Sequence, residues 1–359
     1  MLTVFTPSFA DENNTNAQNL TVKEVVSRVD PARFRVVMLG SSAVDPRISA
    51  RPNTCVLPWG RHGNTARTLG YLLTHIPDVY FFPREGPLDA AFLIARAKLR
   101  LKTALVTYVI SGGLENDQRP RLFRTIREAD VVAGNSRRMA RIAESLGAKD
   151  ARVVYDAADR RYYYPPRLAR EGPSSVLFAG SFRPYKRADL VVREAAKHPD
   201  WRFRLAGTGE EEVACRLLAA EIGCRNVEFL GHLTATQLGD EMRRADIFFF
   251  PSELEGHPQV LVQAAACGLP CVARSSYEPD YVRDGASGFL ANSDAELSDA
   301  LGRLIECGDL RGQMSIAAVE HAQQFDWDRI TEQWQNIMEC ATASRTAFRT
   351  QRSGRHSAR

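Results

Sequence analysis

Arg183, Lys186 and Arg187 fall within five positions in SFRPYKR, directly after the apolar run SVLFAG (175–180). Seventy residues further on, Glu255 and Gly256 follow a second apolar run, DIFFFP (246–251), and precede PQVLVQAAACG, whose apolar residues recur at helical spacing. A helix opening at Pro258 would turn its positive dipole end and unbonded amides toward Gly256, His257, Pro258 and Gln259, a seat for phosphate. Proline suits the first helical position because its missing amide costs nothing there, and Gly256 lets a ligand approach the backbone closely. Glu255 would repel a phosphate, so it is better suited to accept hydrogen bonds from hydroxyls beside one, as a sugar supplies. Gln263, two turns on, would reach another polyol edge. Taken alone, the stretch also fits a capped helix with a surface Glu and a half-buried Gln.

Such residues act together only if the fold brings their loops to one place. Apolar runs of four to seven residues alternate with amphipathic patterns: LTVFTP (2–7), FRVVML (34–39), VYFF (79–82), TALVTY (103–108), VVAG (131–134) and RVVY (152–155) in the first half. The alternation resumes with SVLFAG, WRFRLAG (201–207), VEFLG (227–231), DIFFFP, PCVA (270–273) and GFLA (288–291). Short buried strands separated by helices predict parallel sheets covered on both faces, hence two doubly wound α/β domains. The expected division is 1–165, 166–325, a last helix over 326–342 returning to the first domain, and a disordered basic tail over 343–359.

Ligands of such sheets bind beyond the carboxyl ends of the strands. In the second domain that selects SFRPYKR, TGEEE with Gly207 and Gly209, and SELEGHPQ. In the first it selects PREGPLD (83–89) and SGGLEN (111–116), so Arg84, Glu85, Glu115 and Asn116 are candidates for an acceptor side. Ordinary helix-entry polarity explains those four equally well.

Composition narrows the classes. The chain has 359 residues, 44% hydrophobic and 25% charged, too long for one ordinary core and neither disordered nor fibrous. Its apolar runs are too short to span a bilayer, and MLTVFTPSFADE lacks the pattern of a secretory leader, so a cytoplasmic protein is expected. Seven scattered cysteines without a CxxC pair read as reduced thiols. The net charge of +4 resides in the tail, where five arginines and no acid follow Ala341. The remaining chain is near neutral, which gives no basic face for nucleic acid; the tail could touch anionic headgroups, a solvated end being the preferred reading. No metal site is expected: the histidines lack ligand spacing, and the one DxD, Asp326 and Asp328 in FDWDRI, sits at a helix start where Asp caps amides. His257 reads equally as a solvent-facing loop residue or a ligand contact. No strand ends in a dinucleotide fingerprint, which disfavours a nicotinamide-dependent dehydrogenase.

FAGSFRPYKRADLVVREAA, the stretch from RLAGTGEEE to ACGLPCVA, and YEPDYVRDGASGFL together resemble the C-terminal half of the retaining glycosyltransferases of family 4. EGHPQVLVQAAACGLP is similar to their E-G-F-G-x-x-x-x-E-A-x-A-x-G-x-P motif. The resemblance covers residues 130–335 well and the N-terminal half in outline. It implies the GT-B fold, two Rossmann-like domains facing each other across a cleft, and transfer of a sugar from a UDP- or GDP-sugar to an acceptor hydroxyl with retention and without a metal or other cofactor. The acceptor would be a glycan, glycolipid or small molecule, and envelope polysaccharide or glycolipid synthesis fits the family. Carried over by position, Lys186 neutralises the diphosphate with Arg183 beside it, Glu255 meets the donor sugar, and Gly180, Ser181, Gly207, Gly209 and residues 256–259 contact the donor. Gln263 stands where a Glu normally binds the ribose. The family's Gly-Arg after the first strand of this domain is Gly180-Ser181, its glycine-rich loop is TNAQN (15–19), whose polar Thr15 and Asn16 become acceptor-side candidates by that position, and its N-domain histidine has no counterpart. These departures leave one alternative, a catalytically degenerate protein that holds a nucleotide sugar or glycan without transferring it.

Overall fold

The structure, a computed structural model of the chain, describes residues 1–12, 17–60, 64–83, 85–110, 120–166 and 174–356, with side chains at all of these but 17, 18, 120 and 346–356. The described residues form two compact units: those up to Tyr155 together with those from Trp327 onward, and Asp156–Asp326.

In the first unit the strands are β1 (Leu2–Phe9), β2 (Phe34–Gly40), β3 (Thr54–Pro58), β4 (Val79–Phe81), β5 (Ala104–Val109), β6 (Val131–Gly134) and β7 (Ala151–Val153). They pair in the order β3-β2-β1-β4-β5-β6-β7, every pairing parallel. Crossovers run through α1 (Ala17–Arg28), α2 (Pro46–Ser49), α3 (Thr65–Thr74), α4 (Pro87–Lys98), α5 (Pro120–Glu128) and α6 (Arg137–Ser145). Burial on both faces explains the unbroken apolar runs: every residue of β5, ALVTYV, is buried. The core gathers Phe5, Tyr80, Phe92, Leu105 and Val132, all fully buried. Edge strand β3 is only half-buried, and TCVLP lies between prolines, so its pattern is weak.

The second unit repeats the plan with β8 (Ser175–Ala179), β9 (Arg202–Ala206), β10 (Val227–Gly231), β11 (Ile247–Phe250), β12 (Cys271–Arg274) and β13 (Gly288–Ala291). Their order is β10-β9-β8-β11-β12-β13, again parallel throughout. The helices are α7 (Ala188–Lys197), α8 (Glu212–Glu221), α9 (Ala235–Arg244), α10 (Gln259–Ala266), α11 (Asp294–Glu306) and α12 (Gly308–Ala322). IFFF of β11 is wholly buried, each phenylalanine contributing roughly 1.5–3 kcal/mol of apolar burial. The strand order reverses between β8 and β11, so the loops after these two strands emerge side by side at the carboxyl edge, where α/β sheets bind ligands.

The chain then returns to the first unit as α13 (Trp327–His356). Trp334, fully buried, packs edge-on against Phe81 and Tyr108 at centroid distances of 5.1 and 5.0 Å. The helix does not stop at residue 342. It continues through the basic segment, and Arg345 ties it down with bonds to Asp130 Oδ1 (3.1 Å), the Leu101 carbonyl (3.1 Å) and the Thr103 carbonyl (2.6 Å). The division between units falls at 155/156, ten residues earlier than the expected 165/166. Residues 156–163 belong to the second unit because Tyr163 is buried and the Tyr162 carbonyl accepts from Arg243 at 2.6 Å. Asp326 and Asp328 are both ion-paired, Asp326 with Arg160 (2.8 Å) and Asp328 with Arg28 (3.2 Å).

Candidate functional site

At the carboxyl edge of the second sheet three consecutive loops are joined by backbone hydrogen bonds that continue past the strand ends. The Gly180 amide donates to the Ala206 carbonyl (3.0 Å), Phe182 to Thr208 (2.9 Å) and Gly207 to Gly231 (2.7 Å). The approach is closest at Gly207, with φ of 132°, where a Cβ would stand 1.9 Å from the Gly180 carbonyl oxygen. At Gly209, φ 159°, a Cβ would lie 2.5 Å from the Phe182 carbonyl oxygen. Glycine at 207 is therefore required by loop against loop, whatever binds beside it.

These loops and the first turns of α10 border an open pocket of about 320 Å³, lined by Gly180, Ser181, Gly207, Thr208, Val260 and Gln263, with His232 and Leu238 at its side. Four sequence candidates thus share one space: Gly180, Ser181, Gly207 and Gln263. Val260 and Gln263 lie one turn apart on α10, which explains their common face.

Lys186 adjoins this cavity; its Cδ is 3.8 Å from where a Gly180 Cβ would stand. It ends a 3-10 turn, Pro184–Lys186, that follows β8. Its ammonium is ion-paired with Glu255, both side chains being about one-eighth exposed, at 13% and 12%. The Ser252 hydroxyl donates to the same Glu255 Oε1 at 2.6 Å. Aromatic rings complete the setting of the ammonium, Phe250 at 5.1 Å and Tyr185 at 5.6 Å from the centroids, within cation–π reach. A lysine and a glutamate 69 residues apart in sequence therefore form one polar unit beside the cavity. Arg183 takes another course: its side chain is exposed and makes no ion pair among the described residues. It remains available to an anion arriving from solvent.

His257 answers neither sequence reading. It is 5% exposed and does not line the cavity; Nε2 accepts the Asp280 amide (3.1 Å), and its ring lies 3.7 Å from that of Tyr281. Burial drives its pKa down from 6.5 to about 3, which fixes the imidazole as neutral. His321 Nε2 meets the Asp280 carbonyl at 2.8 Å, so the same peptide segment is held from both sides. Gly256 and Pro258 are buried and Gln259 half-buried. Pro258 is the N-cap, and the helix begins at Gln259, one residue later than expected.

Of the acceptor-side candidates, Thr15, Asn16, Arg84, Glu115 and Asn116 lie outside the described residues. Glu85 is described; it sits half-buried in a left-handed turn (φ 63°) just before α4, its carbonyl accepting from Arg121 at 3.3 Å. Ser252, Tyr185, Thr208 and His232 are site residues that sequence reasoning missed. Ser252 had a signal in its place between the buried strand and Glu255, whereas Thr208 and His232 are brought in by the pairing of loops. Among the described residues no group of three or more His, Cys, Asp or Glu side chains is spaced to hold a metal ion, and no helix is long and apolar enough to cross a membrane.

Residues 163–321 match the family described as Glycosyl transferases group 1. Over 263 residues the chain is 33% identical to a D-inositol 3-phosphate glycosyltransferase of Acidothermus cellulolyticus, covering 64% of this chain and 58% of that protein. A protein of the same name from Mycobacterium tuberculosis is 35% identical over 232 residues, 58% of this chain and 48% of its own length. The chain thus matches about half the length of these relatives. Among solved structures, Anabaena Alr3699/HepE in complex with UDP and glucose superposes with a TM-score of 0.76 at 18% identity, covering 95% of this chain and 100% of that one. A sucrose-phosphate synthase from Thermosynechococcus elongatus gives the same TM-score at 16% identity, with 96% and 100% covered. At these identities the likeness establishes the fold, the GT-B class of two doubly wound α/β domains.

Proposed function

We propose that this chain, whose second unit over residues 163–321 belongs to the glycosyl transferases group 1, moves a sugar from a nucleotide-diphosphate sugar to an acceptor hydroxyl with retention of anomeric configuration. The observation that carries the proposal is the Lys186–Glu255 pair beside a cavity bordered by Gly180 and Gln263. Cation, carboxylate and cavity are the three parts that a diphosphate, a sugar and a nucleoside require. The Anabaena structure holds UDP and glucose, which supports a UDP-sugar as the first donor to test. The names of the curated relatives support a phosphorylated polyol as an acceptor to test beside glycans and glycolipids.

The chemistry rests on charge. As the anomeric carbon–oxygen bond breaks, negative charge grows on the leaving diphosphate and positive charge on the sugar ring. Lys186, Arg183 and the amides opening α10 stabilise the former. Glu255, freed from Lys186, accepts sugar hydroxyls and holds the ring. The leaving phosphate takes the acceptor's proton on the face it departs from, so configuration is retained without a carboxylate nucleophile. Gln263 hydrogen-bonds the ribose through its amide.

Released nucleotide diphosphate is the assay, with UDP- and GDP-sugars, with and without acceptor, and the anomeric configuration of the product read by NMR. Lys186→Ala is expected to slow release about 100-fold or more, the loss typical of removing one stabilising donor. Turnover close to that of the parent would refute the role. The rival reading, a protein that binds the donor without transferring it, draws on Gln263 and Ser181. Tight UDP binding with no release over any acceptor would select it.

A further inference from the structure

Arg187 follows Lys186 and precedes α7 with φ 54° and ψ 43°, the left-handed region that favours glycine. The conformation persists although the side chain is long, and three carboxylates surround its guanidinium. Nε donates to Asp189 Oδ1 at 3.1 Å, Nη2 to Asp294 Oδ2 at 3.0 Å, and Nη1 bonds Glu253 Oε1. A second arginine, Arg274 at the end of β12, is 7% exposed and shares two of these partners. Its Nε donates to the Pro251 carbonyl at 3.0 Å, and its guanidinium pairs with Asp294 and lies 3.8 Å from Glu253.

These contacts join four elements: the turn carrying Lys186, the loop from Pro251 to Glu255, the end of β12 and the first residue of α11. The loop is also tied to the turn directly, because the Tyr185 carbonyl accepts the Glu253 amide at 2.7 Å. Lys186 and Glu255, paired with each other, are carried by the turn and the loop that this framework joins. Without Arg187, Asp189 would lose its arginine and Asp294 and Glu253 would be left to Arg274 alone, so the segment bearing Glu255 would lose its anchor to the turn.

We infer that Arg187 is a positioning residue of the donor site, its guanidinium holding the 251–255 loop against the 184–186 turn so that Lys186 and Glu255 meet the donor together. The inference rests on the reading of Lys186 and Glu255 as donor-site groups, and its test separates the two. Arg187→Gly suits the backbone and removes the guanidinium, whereas Arg187→Lys keeps the charge but cannot fork to three carboxylates. Hydrogen exchange of a peptide covering 248–260 reads the loop, calorimetry with UDP reads the site, and thermal unfolding reads the fold. In Arg187→Gly we expect about tenfold faster exchange at the Glu253–Glu255 amides and about tenfold weaker UDP binding, with the unfolding midpoint within a few degrees of the parent, since a charge-assisted network of this kind is equivalent to about one decade. Arg187→Lys should fall between. Unchanged loop exchange in Arg187→Gly overturns the inference, as does faster exchange with undiminished UDP affinity. If the parent binds neither UDP nor GDP while the glycine variant loosens the loop, the bracing role stands and the donor-site reading falls.

Discussion

Replacing Glu255 by Gln separates the two halves of the polar unit beside the cavity. In the structure the Lys186 ammonium is already engaged by a carboxylate, with both side chains about one-eighth exposed. A diphosphate arriving there must draw the cation away from Glu255 and tolerate the carboxylate's charge nearby. Two unit charges about 4 Å apart interact by about 4 kcal/mol at an effective dielectric of 20, and desolvation and side-chain entropy offset most of that gain. A net coupling of about 1–2 kcal/mol is a reasonable expectation, equivalent to roughly 5–30-fold in affinity. Glutamine keeps the shape and an oxygen for the Ser252 hydroxyl while removing the charge. Glu255→Gln should therefore bind UDP roughly 5–30-fold more tightly than the parent, yet turn over at least about tenfold more slowly, because the anchor for the sugar hydroxyls is weakened. Titration calorimetry with UDP on the parent, the single variants Glu255→Gln and Lys186→Ala, and the double variant gives the coupling directly. Equal or weaker UDP binding by Glu255→Gln would show that the pair does not compete with the diphosphate and would remove Lys186 from its proposed role.

The depressed pKa of His257 sets a pH dependence of stability. Between the unfolded value near 6.5 and the folded value of about 3 the unfolded chain binds the extra proton, so stability is full above pH 6.5 and falls as the pH drops toward 3. At 1.36 kcal/mol per unit the loss from pH 6.5 to 5 is about 2 kcal/mol, and denaturant titrations of the parent and His257→Phe should differ by that slope; identical slopes would show the imidazole to be solvated. Gly207→Ala, which sets a Cβ 1.9 Å from the Gly180 carbonyl oxygen, should destabilise the second unit by about 3 kcal/mol or more; a neutral effect in thermal unfolding would mean the two loops part easily. Gln263→Glu should tighten UDP binding about fivefold through charge-assisted bonds to the ribose, and no gain would place the ribose elsewhere.

The alternation of apolar runs and amphipathic stretches made both sheets legible, because parallel strands buried on two faces leave unbroken apolar signals such as IFFF and ALVTYV. Edge strand β3 and helix α12 escaped for the opposite reason. TCVLP is half-buried and bounded by prolines, and α12 exposes Ile316 while burying His321, which blurs its periodicity. The expected division at 165/166 came too late because Tyr162 and Tyr163 dock on the second unit. At the site, Lys186, Glu255, Gly180 and Gln263 could be named because each sits at a strand end or on the first turns of a helix. His257 could not be placed: its neighbour Tyr281 and its partner Asp280 come from a loop more than twenty residues away, and burial of a polar side chain by such a loop leaves no local trace. Gly207 and Gly209 also answer a need that the sequence does not disclose, the close approach of Gly180 and Phe182 of their own unit.

The ladder of amides joining residues 180, 182 and 207 to 206, 208 and 231 carries a constraint on how this molecule can diversify. Adding or deleting a single residue in any one of these turns would throw the other two out of step, so the rim of the cavity is fixed in length. If this cavity takes the nucleoside as proposed, changes of nucleotide preference are most readily made by swapping side chains of its lining, at Thr208, His232, Leu238 and Val260, with the loops kept at their present length.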